Sequence, residues 1–179
     1  VLLGDYPTSE PQLQLRLPTE RYYEEEGRAE LTPRDFGILM HRVFENAATT
    51  DEIYTAIEAM TQDGVLDEKE APRLRELVEK ALADPVTAEW FGGRWQVVRN
   101  ENEIILPGSG TTRRPDRVMT DGERAVVVDY KFGDRETARH RKQIREYLRL
   151  LRQMGYTRTE GYLWYVRLGR TERVEEKED

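Results

Sequence analysis

One short segment limits the possible folds more than any other part of this 179-residue chain. Residues 125–128 read AVVV, and such a run of small and β-branched side chains is typical of a strand buried on both faces. Because side chains alternate along a strand, Asp129 and Lys131 are predicted on one face and Tyr130 on the other. An isolated buried charge is costly, so an acid and a lysine at the end of such a strand need a partner. The segment therefore predicts a functional site where a central strand ends.

The residues before this strand predict its partner in the sheet. Residues 113–120 are predicted to form a strand, and Asp121-Gly122 is predicted to turn the chain back into a hairpin. Such a hairpin can bring Asp116 beside Asp129. Two neighbouring carboxylates favour a divalent cation between them, because hard cations bind oxygen ligands. A simple ion pair with Lys131 is the alternative that these residues leave open.

Composition narrows the class of protein. The chain has no cysteine, which removes disulfides, zinc–thiolate sites and cysteine-held iron–sulfur clusters. No apolar stretch reaches membrane-spanning length and no signal peptide opens the chain, so we expect a cytoplasmic protein with no membrane partner. The net charge of -7 argues against a generally basic nucleic-acid coat but is compatible with a local basic groove. No Walker motif occurs, so we expect no ATP-hydrolysing motor in this chain.

Helical patterns dominate the first half of the chain. Thr32-Pro33 predicts an N-cap followed by the first helical residue. Further helices are predicted to start at Thr50, at a capping box that begins with Asp67, and at Asp84. The apolar stripe of the first helix consists of Phe36, Leu39, Met40, Val43, Phe44 and Ala47.

Strand patterns begin near Arg94. Strands are predicted over 95–100 and 103–106, followed by the hairpin, a long helix over 136–154 and a last strand over 157–168. The core face of the long helix is predicted to be Ile144, Tyr147, Leu148, Leu151 and Met154. This order predicts an α/β (α+β) domain with a central mixed sheet flanked by helices and an N-terminal helical subregion. The predicted boundaries are an extended arm or linker over 1–31, the domain over 32–168 and a charged tail over 169–179.

Two polar pairs at helical spacing lie outside the hairpin. His41 and Glu45 share a face of the first helix, and Gln143 and Tyr147 share a face of the long helix. A packed or half-exposed helix histidine is the ordinary interpretation of His41. Each pair becomes a candidate for function only if its helix packs beside the hairpin.

Basic residues concentrate near the hairpin and on the long helix. Arg114 and Arg117 adjoin Asp116, and residues 135–152 contain seven arginines or lysines in an otherwise acidic chain. A solvated outer face is the ordinary interpretation of such a helix. A phosphate backbone is the alternative partner, because guanidinium groups match phosphate oxygens.

Four segments together resemble one known family. GILMHRVFE, RRPDRVM, VVVDYKFG and QIREY occur in this order, each on the predicted element type that the family requires. They resemble the nuclease domain of RecB/AddA type in the PD-(D/E)XK superfamily, which lies at the C-terminal end of bacterial helicase–nuclease polypeptides. The resemblance covers residues 36–168. Relatives that bind an iron–sulfur cluster use four cysteines, which this chain lacks.

The resemblance implies an activity and its partners. It implies a Mg²⁺-dependent deoxyribonuclease, more an exonuclease than an endonuclease, that acts in DNA double-strand break repair and recombination. Single-stranded DNA ends would be delivered by a helicase fused upstream of Val1, and a partner nuclease subunit is implied. Manganese is expected to substitute for magnesium, because imidazole suits softer metals. A catalytically inactive DNA-binding or end-recognition module of the same fold is the alternative.

The resemblance also assigns roles to residues of this chain. The metal ligands would be His41, Asp116, Asp129 and the backbone carbonyl of Tyr130. The catalytic residues would be Asp116, Asp129 and Lys131. The residues that bind DNA or order the site would be Gln143 and Tyr147, which match a Q-x-x-x-Y motif, with Arg114 and Arg117. Further candidates behind the metal ligands or on the substrate side are Glu45 and Glu103.

Overall fold

The computed structural model describes residues 32–101, 104–105, 112–133 and 138–176. The predicted arm over 1–31 and the candidate Glu103 lie outside these described residues. None of the described helices is long and apolar enough to cross a membrane.

Four helices occupy the first half of the described chain: α1 (Pro33–Glu45), α2 (Thr50–Gln62), α3 (Ala71–Ala81) and α4 (Pro85–Trp90). Their apolar faces form one core with one face of the sheet, and the predicted stripe of α1 is buried there in full. Thr32 caps α1 as predicted, with a reciprocal hydrogen bond to Asp35. The helical subregion therefore serves as a layer of the fold.

Two of the predicted helix starts are wrong in detail. Thr49, not Thr50, caps α2, and its hydroxyl accepts a hydrogen bond from the Glu52 backbone N–H. The N-cap of α3 is Glu70, which makes no side-chain capping bond. Asp67 instead accepts from the Lys69 backbone N–H in the preceding turn. Short polar side chains compete for several nearby backbone donors, so sequence locates a helix start only to within a few residues.

The central sheet has five strands in the order β1-β4-β5-β6-β7, and the predicted fold class is confirmed. Its strands are β1 (Val97–Asn100), β4 (Arg117–Asp121), β5 (Arg124–Lys131), β6 (Arg158–Tyr165) and β7 (Arg170–Arg173). Helix α5 (Ala138–Gln153) links β5 to the parallel strand β6, and the other pairs are antiparallel. Two short strands, β2 (Ile104–Ile105) and β3 (Thr112–Arg113), form a separate pair.

The predicted hairpin exists, with two corrections. The predicted strand over 113–120 is interrupted at residues 114–116, and β4 begins only at Arg117. Pro115 lies in this break, where its missing N–H is not needed by a ladder. The two-residue turn is Gly122-Glu123, not Asp121-Gly122, because Asp121 already pairs with Arg124.

Strand β5 is buried on both faces, as its sequence predicts. Ala125 and Val127 face α5, whereas Val126, Val128 and Tyr130 face the helical layer. The predicted core face of α5 is buried except for Met154, which is 63% exposed. The prediction that Met154 is buried is wrong because α5 ends at Gln153, so Met154 no longer continues the apolar stripe of the helix.

The predicted charged tail is wrong for residues 170–176. β7 pairs with β6 at the edge of the sheet, and Val174 is buried against the α5 side of the core. The Val174 N–H donates to the Gly161 carbonyl over 2.8 Å. An edge strand tolerates charged side chains, so composition alone did not reveal this strand.

Candidate active site and metal centre

The β4–β5 hairpin brings the two predicted acids together. Arg117 pairs with Val128, so Asp116, one residue earlier, stands opposite Asp129. The Tyr130 backbone N–H donates to Asp116 Oδ2 over 2.5 Å. This bond fixes one carboxylate oxygen of Asp116 and leaves the other to face α1.

Asp129 and Lys131 extend toward α5 from the same face of β5. Asp129 is 4% exposed, and its Oδ2 forms an ion pair with Lys131 Nζ. Burial and, to a lesser extent, the neighbouring Asp116 carboxylate together raise the pKa of Asp129 to about 6, although Lys131 opposes both effects. The two acids are therefore held together at an electrostatic cost that a bound cation would offset.

His41 approaches the acids from α1. Its Nε2 lies 3.6 Å from Asp116 Oδ1 and 3.6 Å from Glu101 Oε1, and its Nδ1 lies 3.9 Å from Glu45 Oε2. Asp116 raises the pKa of His41, partial burial opposes this, and Glu101 and Glu45 add to the increase. The ring also packs edge-on against Phe132, with centroids 5.7 Å apart. The packed-histidine interpretation is thus incomplete, because His41 faces three carboxylates.

Glu101 is a site residue that sequence reasoning missed. It follows β1 with a left-handed backbone (φ 48°), and its N–H donates to the Asp116 carbonyl over 3.0 Å. Its carboxylate is 17% exposed, and Oε2 lies 3.0 Å from Arg114 Nη2. Burial raises the pKa of Glu101, the Glu45 carboxylate raises it further, and Arg114 and His41 oppose this. Only the pairing of β1 with β4 reveals that this glutamate adjoins Asp116.

The residues around Asp116 fit a divalent cation. His41, Glu101 and Asp116 each offer one ligand atom, and these atoms all lie within 4.8 Å of one another. Carboxylate oxygens suit magnesium, and a nitrogen ligand extends the range toward manganese. Asp129 is not a member of this compact group but adjoins it through Asp116.

Tyr130 has a structural side chain. It is 5% exposed and packs against Phe44 and Trp164, with ring centroids 5.8 and 5.4 Å away. Burial raises the pKa of its hydroxyl, which keeps the side chain neutral. The role of its backbone carbonyl as a metal ligand stays a prediction.

The Gln143–Tyr147 pair lies on α5 as predicted. Gln143 Nε2 donates to the Tyr147 hydroxyl over 3.0 Å, and Tyr147 is buried against the same face of the sheet that carries Asp129. The start of α5 lies close to Lys131: burial lowers the pKa of His140, and the charge of Lys131 lowers it further. The pair is thus placed to order the site, and that role stays a prediction.

Arg117 lies inside the protein, so the DNA-binding part of its prediction is wrong. The side chain is 0% exposed, and its guanidinium donates over 2.7 Å to each of the Ala47, Ala48 and Trp90 carbonyls. It also stacks over Phe91, 4.0 Å from the ring centroid. Arg117 therefore ties the end of α1 to α4 and supports the position of His41 from behind.

Arg114 and the arginines of α5 differ in their surroundings. Arg114 is 58% exposed beside Glu101. Three arginines of α5 contact the C-terminal segment: Arg141 with Glu172, Arg145 with the Glu175 carbonyl, and Arg152 with Glu176. These contacts therefore pair three arginines of α5 within the protein, on the helix whose basic face the sequence analysis considered as a phosphate-binding surface.

Comparison with protein families identifies a relationship over most of the chain. Residues 12–179 match the family model described as the PD-(D/E)XK nuclease superfamily. The match includes β7, which the predicted domain boundary at residue 168 excluded. Comparison with curated proteins gives no match.

Proposed function

The chain belongs to the PD-(D/E)XK nuclease superfamily, and from this premise we propose that it is a metal-dependent deoxyribonuclease of RecB/AddA-like type. The observation that carries the proposal is the convergence of three elements on one point. Helix α1 supplies His41, the start of β4 supplies Asp116, and the end of β5 supplies Asp129 and Lys131. These are the positions that the four motif segments assign to metal binding and catalysis.

The proposed cation is magnesium, with manganese as a substitute. His41, Asp116 and Asp129 would hold it, with the Tyr130 carbonyl. When bound, such an ion polarises a phosphodiester and lowers the pKa of a water ligand. The protein's own part is to keep three acidic or imidazole groups fixed before substrate arrives, which the Tyr130–Asp116 hydrogen bond and the buried Arg117 support.

Lys131 is proposed to act on the substrate side. Its ammonium group is held at the site by the ion pair with Asp129, and its side chain is 21% exposed. From there it can orient the attacking water or stabilise charge that develops on the phosphate oxygens. A lysine used only to neutralise Asp129 would not need access to solvent.

The proposed setting is DNA double-strand break repair and recombination, with single-stranded ends delivered by a helicase. The order and element types of the four motif segments support the RecB/AddA-like assignment. The net charge of -7 and the internally paired arginines of α5 predict weak DNA binding by the isolated chain. A fused motor would overcome this by raising the local concentration of the strand. Tight, salt-resistant DNA binding by the isolated chain would contradict this setting.

The direct test is cleavage of end-labelled single-stranded DNA by the purified chain with Mg²⁺ or Mn²⁺. We expect cleavage by the wild type, none by Asp129→Ala or Lys131→Ala, and wild-type rates for the control Asp121→Ala, an exposed acid of the same hairpin. Circular single-stranded DNA distinguishes an exonuclease, which leaves it intact, from an endonuclease. DNA binding without cleavage by the wild type would favour the inactive module, and full activity of either site variant would refute the assignment.

A further inference from the structure

We infer that Tyr165 and Arg170 form a phosphate-binding subsite on the β7 side of Lys131, which takes the phosphodiester next to the scissile one in a single-stranded DNA substrate. None of the four motif segments contains either residue. The inference rests on the proposed nuclease function and gives the strand a course, from the metal centre near His41 across Lys131 toward β7.

The first argument is position. Lys131 pairs with Tyr165 across the parallel strands β5 and β6, and Tyr165 pairs with Arg170 across β6 and β7. Tyr165 packs in the layer beneath α5, on the face of the sheet from which Lys131 extends. Directly paired residues share a face of a sheet, and neighbouring strands are about 4.8 Å apart. The three side chains therefore form one row that continues the active site across three strands.

The second argument is two polar atoms without a partner. Tyr165 is 1% exposed, and within the part of the chain that the structure describes its buried hydroxyl has no hydrogen-bond partner. The same holds for the buried Nδ1 of His140, in the first turn of α5. An unsatisfied buried polar group costs about 1–3 kcal/mol. Two such groups near Lys131 indicate a ligand with hydrogen-bonding oxygens.

The third argument is charge. Burial lowers the pKa of His140, and three cations lower it further: Lys131, Arg139 and Arg141. Two carboxylates of the next row are already bound, Asp129 by Lys131 and Glu172 by Arg141. An anion placed beside the imidazole would therefore be stabilised by several positive charges, although the whole chain carries a net charge of -7.

The stacking of Arg170 distinguishes a phosphate from a base as the ligand. Its guanidinium carbon lies 4.9 Å from the centroid of the Tyr165 ring. The ring is thus covered and offers its hydroxyl, not a face on which a base could stack. A guanidinium group beside a hydroxyl donor matches the oxygens of a phosphodiester.

The test is fluorescence anisotropy of a 3′-labelled single-stranded oligonucleotide, titrated with the full chain in EDTA over a range of low salt concentrations. EDTA prevents metal-dependent cleavage, so binding alone is measured. Each phosphate contact contributes about 0.7 to the slope of log affinity against log salt concentration for a single strand. We expect Arg170→Gln to weaken binding and to reduce this slope by about 0.7. Arg170→Lys keeps the charge and should retain the slope.

Arg173→Gln is the matched control. Arg173 is an exposed arginine of the same strand, and it pairs with Tyr162, which belongs to the core on the opposite face of the sheet. Its variant should keep the slope of the wild type. Equal slopes for the wild type and Arg170→Gln, or equal losses in Arg170→Gln and Arg173→Gln, would overturn the inference.

Tyr165→Phe tests the hydroxyl separately, because it keeps the ring beneath Arg170. Binding should weaken between about threefold and tenfold. The urea midpoint should stay the same or rise, since the hydroxyl has no partner among the described residues that the variant would lose. A lower midpoint with unchanged DNA affinity would mean that the hydroxyl is structural and would overturn its role.

Two comparisons identify the phosphate and separate this inference from the proposed function. With an internal phosphodiester, Arg170→Gln should lose the same affinity for oligonucleotides with and without a 5′-phosphate, and a loss confined to the phosphorylated one would overturn the internal subsite. Cleavage with Mg²⁺ by the wild type, together with an unchanged slope in Arg170→Gln, would overturn the subsite and leave the nuclease function intact. A reduced slope in Arg170→Gln without cleavage by the wild type would support the subsite and overturn the nuclease function.

Discussion

Replacement of Asp129 by asparagine is expected to stabilise the metal-free protein at neutral pH and to remove its response to metal. Burial raises the pKa of this carboxyl from 3.8 to about 6. Each pH unit between the unfolded and folded pKa corresponds to about 1.4 kcal/mol, so ionised Asp129 lowers the free energy of unfolding by about 3 kcal/mol. Asparagine has the same shape, keeps an oxygen for Lys131 and carries no charge.

The sign of the pH dependence follows from the raised pKa. The folded protein binds this proton more tightly than the unfolded chain does, so protonation stabilises the fold. That stabilisation is complete below the unfolded pKa of 3.8 and is lost as the pH rises through about 6. Asparagine does not titrate. The free energy of unfolding of Asp129→Asn, measured relative to that of the wild type, should therefore be about 2 kcal/mol higher at about pH 7.5 than at about pH 4.5.

The assay is urea unfolding of the wild type and Asp129→Asn in EDTA at both pH values, with Asp121→Asn as the exposed control from the same hairpin. Added Mn²⁺ at neutral pH should then stabilise the wild type by about 2.7 kcal/mol when its concentration is about 100 times Kd, and should leave the variant unchanged. A variant less stable than the wild type at neutral pH without metal, or a difference that does not change with pH, would refute the reasoning.

Three packing predictions concern the supports of the site. Gly161→Ala places a methyl group inside the contact distance of Ile144 Cγ2, so the free energy of unfolding should fall by about 1–3 kcal/mol; an unchanged urea midpoint would mean that α5 lies farther from β6. Arg117→Met leaves three buried carbonyls without their donor and should cost about 3–5 kcal/mol by the same measurement, whereas near-neutral stability would mean that water replaces the guanidinium. Val174→Asp buries a carboxylate beneath β7 and should make the C-terminal segment sensitive to limited proteolysis, and resistance equal to that of the wild type would contradict the packing of β7.

The hairpin and its acids were predictable because their signals are local. The alternation of residues 125–131 predicts which side chains share a face of β5, and the structure has the same two sets on opposite faces. The i,i+4 spacing likewise predicted that Gln143 and Tyr147 share a face of α5, and there they are hydrogen-bonded. Such patterns need no knowledge of which elements are neighbours.

Residues whose environment depends on distant contacts were not predictable. Arg117 stands next to the site in sequence, and nothing in its local pattern shows that its partners are carbonyls near residues 47 and 90. Glu101 reaches the site through the pairing of β1 with β4 and a left-handed backbone that local propensity does not favour. β7 is an edge strand rich in charged residues, of which Glu172 pairs with Arg141 of α5, so its composition resembled that of a tail.

The register of β5 links the hydrophobic core to the chemistry of the site. A slip of one residue would turn Val126, Val128 and Tyr130 toward α5 and move Asp129 and Lys131 to the helical layer. Both faces of the strand bury apolar side chains, but the layers differ in size: small Ala125 and Val127 fit beneath α5, whereas Tyr130 fills the space beside Phe44 and Trp164. The slip would therefore overpack one layer and leave a cavity in the other. The apolar alternation that makes β5 a central strand thus also holds the acid and the lysine where Asp116 meets them.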